Sequence, residues 1–200
     1  MWNDGVGVES ALAGVARSPD GSLGRATAQF ALRELPWRAL LTLRGEGEAF
    51  FAAAAGVLGA QLPRSPGQTT VAGSRTLLWM GPDEWLLCDA DGDSGALEAA
   101  LRSALGASAG TVVDVSSGFS IVCLHGSCVR EVLAAGCPLD LHPRVFAIGQ
   151  CAQSHYFKAP VTVWRGDGDA FQVLVRRSFA DYCVGMLLDA AQPCPGARHG

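Results

Sequence analysis

The segment Arg38-Ala-Leu-Leu-Thr-Leu-Arg44 decides the fold, because a second segment of the same kind follows later in the chain. Its alternating residues are typical of a strand, Gly45 breaks that strand, and residues 46–58 have the composition of a helix. Phe119-Ser-Ile-Val-Cys-Leu-His125 aligns with it without a gap, and residues 126–135 again supply a glycine and a helix-like stretch. The alignment therefore predicts an internal repeat.

Two predicted hairpins extend the repeat. Residues 77–88 and 161–175 each read as strand, glycine-containing turn and strand, and each has a tryptophan two residues before the glycine. A helix candidate follows each hairpin, at 94–105 and from 178 to about 190. We therefore expect an α+β fold of two interleaved strand–helix–hairpin–helix repeats, with mostly antiparallel sheets and helices packed on them.

The two ends of the chain differ from this centre. Residues 1–36 are rich in glycine, serine and alanine, which predicts an irregular N-terminal arm with at most one short helix or strand. Residues 37–191 are expected to form a single domain of two pseudo-repeats, about 37–108 and 111–191, because halves of this size have small cores of their own. Residues 192–200 predict a disordered tail.

The composition excludes several classes of protein. Hydrophobic residues make up 49% of the chain and charged residues 17%. This excludes a disordered chain and suggests that a partner covers part of the surface. The net charge of −4 argues against nucleic-acid binding, and no apolar stretch has the length of a membrane span. Met1-Trp2-Asn3-Asp4 lacks the features of a secretory signal. We expect a cytoplasmic protein with neither nucleic acid nor membrane as a partner.

Metal sites are not predicted. The seven cysteines contain no Cys-x-x-Cys pair, so we interpret them as reduced thiols that serve as small apolar side chains. Asp89-Ala-Asp91-Gly-Asp93 begins like a calcium loop, but Ser94 and Ala100 occupy the places where an EF-hand needs glycine and glutamate. We interpret this segment as a polar loop that caps the next helix.

A few polar and aromatic residues are candidates for a site. His142 has Asp140 two residues before it, which could hold one tautomer or raise its pKa, or simply lock the loop. Arg176 and Arg177 lie at a strand end and point to opposite faces, so at most one of them enters a given pocket. That arginine could bind the carboxylate of a ligand or of a partner, or it could simply form a surface ion pair. Trp85 is either a core residue or, if exposed, an interface anchor.

The start of the last helix also has a signal. Ser178 and Asp181 resemble a capping box, which predicts that the helix begins at Ser178.

Five strings of the sequence are distinctive: Gly81–Leu87, Val113-Asp114-Val-Ser116, Gly136-Cys-Pro-Leu-Asp140-Leu-His142-Pro-Arg144, Cys151-Ala-Gln153 and Arg176–Tyr182. In these strings the chain resembles the gamma subunit of bacterial heterotetrameric sarcosine oxidase. The likeness runs from about residue 36 to residue 190. Two segments depart from it: Ala147-Ile148, in a loop commonly rich in proline in that family, and Gly126-Ser-Cys128, without the usual proline after its glycine.

The resemblance implies a fold similar to the folate-binding domain of glycine-cleavage T-proteins, with two swapped β-β-α-β-β-β-α repeats. It also implies a non-catalytic structural subunit, with alpha, beta and delta subunits as partners. The complex would oxidatively demethylate sarcosine to glycine, produce hydrogen peroxide and pass the one-carbon unit to tetrahydrofolate. FAD, FMN, NAD and tetrahydrofolate are expected in the partner subunits and not in this chain.

Two alternatives stay open. One is a folate- or one-carbon-binding module whose own pocket is lined by Asp114, Asp140, His142 and Arg176. The other is the equivalent subunit of a related N-methyl amino acid dehydrogenase. No catalytic, cofactor-binding or metal-binding residue is assigned, and the candidates for an interface or a vestigial pocket are Trp85, Asp114, Asp140, His142, Arg176 and Arg177.

Overall fold

The structure, a computed structural model, describes residues 10–24, 26–35, 39–106, 110–166 and 170–194. In these residues the order β-β-α-β-β-β-α occurs twice. The first set is β1 (Ala31–Glu34), β2 (Ala39–Gly45), α1 (Gly47–Leu58), β3 (Thr69–Ala72), β4 (Arg75–Gly81), β5 (Glu84–Asp89) and α2 (Ser94–Leu105). The second set is β6 (Gly110–Asp114), β7 (Phe119–His125), α3 (Val129–Ala134), β8 (Cys151–Tyr156), β9 (Ala159–Arg165), β10 (Phe171–Arg176) and α4 (Ala180–Ala190).

The ten strands of the described residues form two antiparallel sheets. The first sheet has the order β3-β4-β5-β2-β6, and the second has the order β1-β7-β10-β9-β8. Each set therefore gives one strand to the other sheet: β1 pairs with β7, with Leu32 opposite Leu124, and β6 pairs with β2, with Leu41 opposite Asp114. The predicted interleaved α+β fold is confirmed.

Alternation along the strands arranges the chain in four layers, helices–sheet–sheet–helices. Because successive side chains point to opposite faces of a sheet, Leu41 and Leu43 of β2 pack toward α1 and α2. Leu40, on the opposite face of the strand, packs instead with side chains of both sheets, including Trp164 and Leu174. The inner faces of the two sheets therefore meet in a shared core.

Each long helix covers its sheet with residues at regular spacing. Phe50, Ala54 and Leu58 of α1 are buried, as are Leu97, Leu101 and Leu105 of α2. This spacing of four residues places them on one face, and each fully buried leucine stabilises the fold by about 2 kcal/mol. The second half has the corresponding apolar faces on α3 and α4.

The helix ends follow from local chemistry. The chain leaves α1 through Gly59, whose φ of 71° is left-handed and suits glycine at a helix C-terminus. Asp93 caps α2, because its side chain accepts a hydrogen bond from the Ala96 N–H. The capping box predicted at Ser178 is wrong: that residue lies in a 3-10 turn, Arg177–Phe179, and α4 starts after it without a side-chain cap. In this turn the Ala180 N–H donates to the Arg177 carbonyl, so backbone bonding takes the place of the side-chain cap expected from Ser178.

The N-terminal arm is irregular between residues 10 and 30 and carries one strand, β1. It does not stand apart, since Leu12, Leu23 and Phe30 are buried in the core of the second half. Residues 36–38, with Trp37 and the predicted start of β2, lie outside the described residues. The described arm is thus part of the domain's core.

Residues 192–194, at the predicted start of the tail, are described and lie against the end of α4. The Cys194 N–H donates to the carbonyl of Ala191, and the Cys194 side chain is buried. Burying this side chain holds the turn after α4 in place. Residues 195–200, the remainder of the predicted tail, lie outside the described residues.

The surface exposes a few large apolar side chains. Val145, Ile148 and Val71 are more than half exposed, and the loop of the first two adjoins β3, because the Thr69 N–H donates to the Gly149 carbonyl. Within the described residues, no helix is both long and apolar enough to span a lipid bilayer.

Candidate functional site

A polar recess lies between the two sheets, at one end of their shared core. We call it the inter-sheet cleft. Its volume is about 250 Å³, and Thr42 of β2 faces it from the first sheet, while Gln153, Thr162 and Arg176 face it from the second. Polar side chains at these inward positions need partners that an apolar core does not offer.

Some polar groups of the cleft have partners within the chain. Gln153 Nε2 donates to the Met80 carbonyl at 2.7 Å and joins the two sheets. Glu84, at the edge, is paired with Arg44 at 2.6 Å. On the first sheet, the Glu84 carboxylate and the Met80 carbonyl at the cleft are therefore already bonded. On the second sheet, the cleft is lined by Arg176.

Arg176 is held over an aromatic ring. Its guanidinium carbon lies 5.5 Å from the centre of the Phe119 ring, a cation–π arrangement that orients the group. Leu174, two residues earlier, is buried in the shared core, so the strand alternation directs Arg176 to the same face. The cleft therefore carries a cation at its exposed end.

A second recess, the junction cavity, lies where the chain enters β2 and β7. Its volume is about 300 Å³, and Leu35, Ala39, Phe119 and Arg177 are among its lining residues. Arg176 and Arg177 thus enter different recesses, as the alternation of side chains predicts. The two adjacent arginines do not share one ligand.

The polar groups of the junction cavity are largely bonded to one another. Glu34 pairs with Arg17 at 2.7 Å and accepts a hydrogen bond from Ser10. Ser116 accepts from the Leu40 N–H at 2.9 Å. These contacts fix the crossing of the two repeats.

Asp114, at the end of β6, supports the same crossing. Its Oδ1 accepts from the Ser116 N–H at 2.8 Å. Burial alone would raise the pKa of Asp114, but hydrogen bonds from Ser116 and Ser94 outweigh it and lower the pKa below its ordinary value. Asp114 is thus an ionised acceptor that holds the turn before β7.

Asp140 and His142 lock a loop. Asp140 Oδ1 accepts from the His142 N–H at 2.9 Å, and His142 Nδ1 accepts from the Arg144 N–H at 3.3 Å. In the neutral ring the proton therefore sits on Nε2. Neither residue lines the inter-sheet cleft or the junction cavity.

Trp85 is a core residue, and its interpretation as an exposed anchor is wrong. It is 1% exposed, it lies 5.7 Å from Phe50 and 5.4 Å from Phe51 between ring centres, and its Nε1 donates to the Pro63 carbonyl at 2.8 Å. The inward position on β5 places it under α1. A side chain in this position cannot reach a partner.

The structure does not bring together the four residues expected to line a folate pocket. Asp140 and His142 share a loop, Asp114 holds the β6–β7 turn, and Arg176 lines the inter-sheet cleft. The four residues therefore do not share either of the two recesses described above.

The acidic loop caps α2, as predicted, and Asp89 adds contacts to the preceding hairpin that the sequence did not predict. Asp89 is 3% exposed and binds Arg75 Nε at 3.0 Å and the Ser74 hydroxyl at 2.8 Å, while Asp93 caps α2. In the described ranges, no group of three or more His, Cys, Asp or Glu side chains could hold a metal ion.

All seven cysteines lie within the described residues, and all are buried thiols. Burial raises the pKa of Cys151 to about 11, and it is the main cause that raises the pKa values of Cys183 and Cys194 to about 12. These three thiols stay protonated at neutral pH, and a protonated thiol is a poor nucleophile. The interpretation as small apolar side chains is confirmed.

Sequence reasoning missed the polar lining of the inter-sheet cleft. Thr42 sits among leucines in β2, and Thr162 sits among valines and Trp164 in β9. The available signal was a threonine at an inward position of an otherwise apolar strand, on both sheets. Single threonines suit strands, so this signal becomes informative only once the facing sheet is known.

Comparison with known proteins decides the family. The model of the "Sarcosine oxidase, gamma subunit family" matches residues 44–193. This chain belongs to that family. The sarcosine oxidase subunit gamma of Arthrobacter sp is 36% identical over 182 residues, which covers 87% of this chain and 89% of that protein. The subunit of Corynebacterium sp. strain P-1 is 37% identical over 186 residues, or 88% and 90% of the two chains.

Solved structures agree with the family. A chain of the heterotetrameric sarcosine oxidase from Corynebacterium sp. U-96, in complex with pyrrole 2-carboxylate, is similar with a TM-score of 0.84 at 32% identity, covering 96% of this chain and 98% of that one. Aminomethyltransferase T of the glycine cleavage system from Bartonella henselae shares the fold, with a TM-score of 0.60 at 17% identity over 80% of this chain and 46% of that one. The expected T-protein-like fold of this gamma-family chain is confirmed.

Proposed function

We propose that this chain is the gamma subunit of a heterotetrameric sarcosine oxidase and that its role there is structural and non-catalytic. The observation that carries the proposal is the match to a chain of such a complex over 98% of that chain, at a TM-score of 0.84. A likeness over whole chains extends to the surfaces by which a subunit assembles, whereas a shared fold alone does not.

Under this proposal the alpha, beta and delta subunits are the partners, and they hold FAD, FMN, NAD and tetrahydrofolate in the cytoplasm. The complex converts sarcosine to glycine by oxidative demethylation, with hydrogen peroxide as a product and transfer of the one-carbon unit to tetrahydrofolate. This chain supplies a rigid body against which the larger subunits pack.

The state of the chain's own reactive groups supports the non-catalytic role. The buried thiols of Cys151 and Cys183 stay protonated, since burial raises their pKa values. His142 uses Nδ1 to accept from a backbone N–H of its own loop. Asp114 holds a turn. Groups committed to holding the fold are not poised for proton or nucleophile transfer.

Co-expression tests the assembly. We expect the chain, expressed with its alpha, beta and delta partners, to elute with them in one complex on size-exclusion chromatography, and to self-associate when expressed alone. The tag is placed on this chain, and the matched control is a tagged protein of the same size and net charge. A monodisperse monomer that does not retain the three partners would refute the subunit assignment.

Activity of the assembled complex tests the role. We expect complexes that contain His142→Ala or Asp114→Asn to produce hydrogen peroxide from sarcosine within about twofold of the wild type, once matched for assembled complex. A loss of more than about tenfold in kcat, with unchanged assembly and flavin content, would contradict the non-catalytic role while leaving the assignment to the complex intact.

A further inference from the structure

The inner faces of the sheets change from apolar to polar along the strands. Leu40 and Leu174 are buried in the shared core, and the residues two positions later, Thr42 and Arg176, line the inter-sheet cleft. A step of two residues keeps the same face. Thr162 is buried whereas Gln153 and Arg176 are exposed, so the cleft begins at the shared core and opens to solvent.

Thr162 places a hydroxyl group at the inner end of the cleft. Its side chain is among the few buried polar ones, 6% exposed, and it lines the cleft. Its hydroxyl forms no hydrogen bond within the described part of the chain. The hydroxyl is not one of the fully buried side-chain atoms that lack a partner, so it is open to the cleft, where a bound molecule could reach it.

Arg176 sets the charge of that partner. It stacks on Phe119 and forms no ion pair with a described carboxylate. Glu84, the acidic residue at the cleft, is already paired with Arg44 at 2.6 Å. The uncompensated charge in the cleft is therefore positive, and a planar guanidinium fits a carboxylate with two parallel hydrogen bonds.

We propose that the inter-sheet cleft binds a small monocarboxylate. Arg176 binds the carboxylate, and the hydroxyls of Thr42 and Thr162 bind a second polar group of the same molecule. The volume of about 250 Å³ lies just below the range of ordinary ligand pockets, which selects a molecule of amino-acid size over a nucleotide or a folate. This inference concerns a ligand of the chain itself and does not rest on the proposed subunit role.

Ligand-observed saturation-transfer NMR on the full chain tests the proposal. The probes are N-acetylglycine, a monocarboxylate, and N-acetylglycinamide, its neutral counterpart of nearly equal shape. We expect N-acetylglycine to bind roughly ten- to a hundredfold more tightly than the amide, which is the usual strength of a charge-assisted pair. Equal binding of the two probes, or binding of neither, would overturn it.

Two variants locate the site, and the neighbouring arginine provides the matched control. Arg176→Gln is expected to weaken N-acetylglycine binding about tenfold or more, and Thr162→Val to weaken it several-fold. Arg177→Gln, one residue away in the junction cavity, is expected to leave binding unchanged. Circular dichroism checks that each variant folds. Because the Arg176 head group is exposed, Arg176→Gln is expected to fold and still tests the site if Thr162→Val unfolds.

Two results with these variants would refute the proposed site. An Arg176→Gln chain that binds like the wild type, or an Arg177→Gln chain that loses binding equally, would refute the site. The same titration on the assembled complex, wild type against Arg176→Gln, reports whether the cleft stays open. Loss of the difference there would also overturn the proposal, because the cleft would then be a contact between subunits.

Discussion

In the first half of the molecule a helix of 12 residues, α1, covers the outer face of the sheet, whereas the matching helix of the second half, α3, has 6 residues. The strand orders of the two sheets correspond one to one. The two halves therefore share the strand order of their sheets. They differ in the length of the helix that packs on the outer face of each sheet.

Each half closes its core with different material. In the first half, Phe50 and Trp85 fill the space under α1. In the second half, the N-terminal arm brings Leu12, Leu23 and Phe30 to the core beside the short α3. The comparison teaches that an irregular segment can replace half a helix when it presents apolar side chains to the same face.

The glycines after β2 and β7 give the largest expected difference between the halves. Gly126 has φ 115°, and a Cβ there would lie 2.2 Å from the Gln29 carbonyl oxygen of the arm. Because backbone cannot yield, we expect Gly126→Ala to destabilise the protein by about 3–4 kcal/mol or more, measured by urea denaturation. At the aligned Gly45, a Cβ would meet the Phe50 ring at 2.4 Å, with an ordinary φ, so Gly45→Ala should cost less.

The matched control for these two variants is a glycine in open space. A Cβ added at Gly185 in α4 would have nothing within 4 Å, and alanine favours a helix over glycine, so Gly185→Ala should stabilise the protein by about 0.5–1 kcal/mol. A Gly126→Ala protein as stable as the Gly45→Ala protein would show that the arm does not pack against the second half as described.

The buried tryptophans give the second difference. Trp85 Nε1 in the first half donates to Pro63, whereas the buried Nε1 of Trp164 in the second half has no hydrogen-bond partner among the described residues. Trp85→Phe loses ring volume and leaves a carbonyl without its donor, which should cost about 2–3 kcal/mol. Trp164→Phe also loses volume but removes an unsatisfied donor, so thermal unfolding should show a smaller cost, and the reverse order would contradict this account.

The smallest expected effect concerns the ends of the matching strands β5 and β10. β5 ends in Asp89, which is paired with Arg75, whereas β10 ends in Arg176 without an ion pair to a described carboxylate. Burial raises the pKa of Asp89, but hydrogen bonds from Arg75, Ser74 and the Asp91 N–H outweigh it and lower the pKa. Asp89→Asn should therefore cost about 1–2 kcal/mol at pH 7.

The pH dependence of that cost has a definite sign. A carboxyl group whose pKa is lowered in the folded state stabilises the fold above its unfolded pKa, about 3.9, and loses this contribution as the pH falls through the folded pKa. Urea denaturation of wild type and Asp89→Asn should give a constant difference between pH 5 and pH 7 that shrinks below about pH 4. A difference that grows on acidification would refute the assignment.

Much of the fold was predictable because its signals are local. Strand β7 at Phe119–His125 and helix α2 at Ser94–Leu105 lie where the sequence places them, since alternation and a glycine or aspartate at the end define each one. The exchange of β1 and β6 depends on pairing between distant segments, and no local pattern contains it. At Ser178 a local signal was present but misleading: the sequence has a capping pattern, whereas the structure has a 3-10 turn there.

The candidate site was predictable only in part. The sequence selected Arg176 and its divergence from Arg177, because alternation along a strand fixes which face each residue takes. It did not select Thr42 and Thr162, since their shared cleft exists only when the two sheets pack together. Trp85 was ambiguous because a tryptophan in a strand has the same pattern whether its face is covered by a helix or open.

The exchange of β1 and β6 also imposes an order on synthesis. The arm strand β1 leaves the ribosome before β7, yet its residue Ala31 pairs with His125 of β7. At usual rates of translation, Phe30 and Leu32 wait roughly 5–20 seconds before β7 emerges to cover them. For that interval the nascent chain exposes Phe30, Leu32 and the unpaired edge of β1, so the first half is exposed to chaperones and to neighbouring chains until the second half arrives.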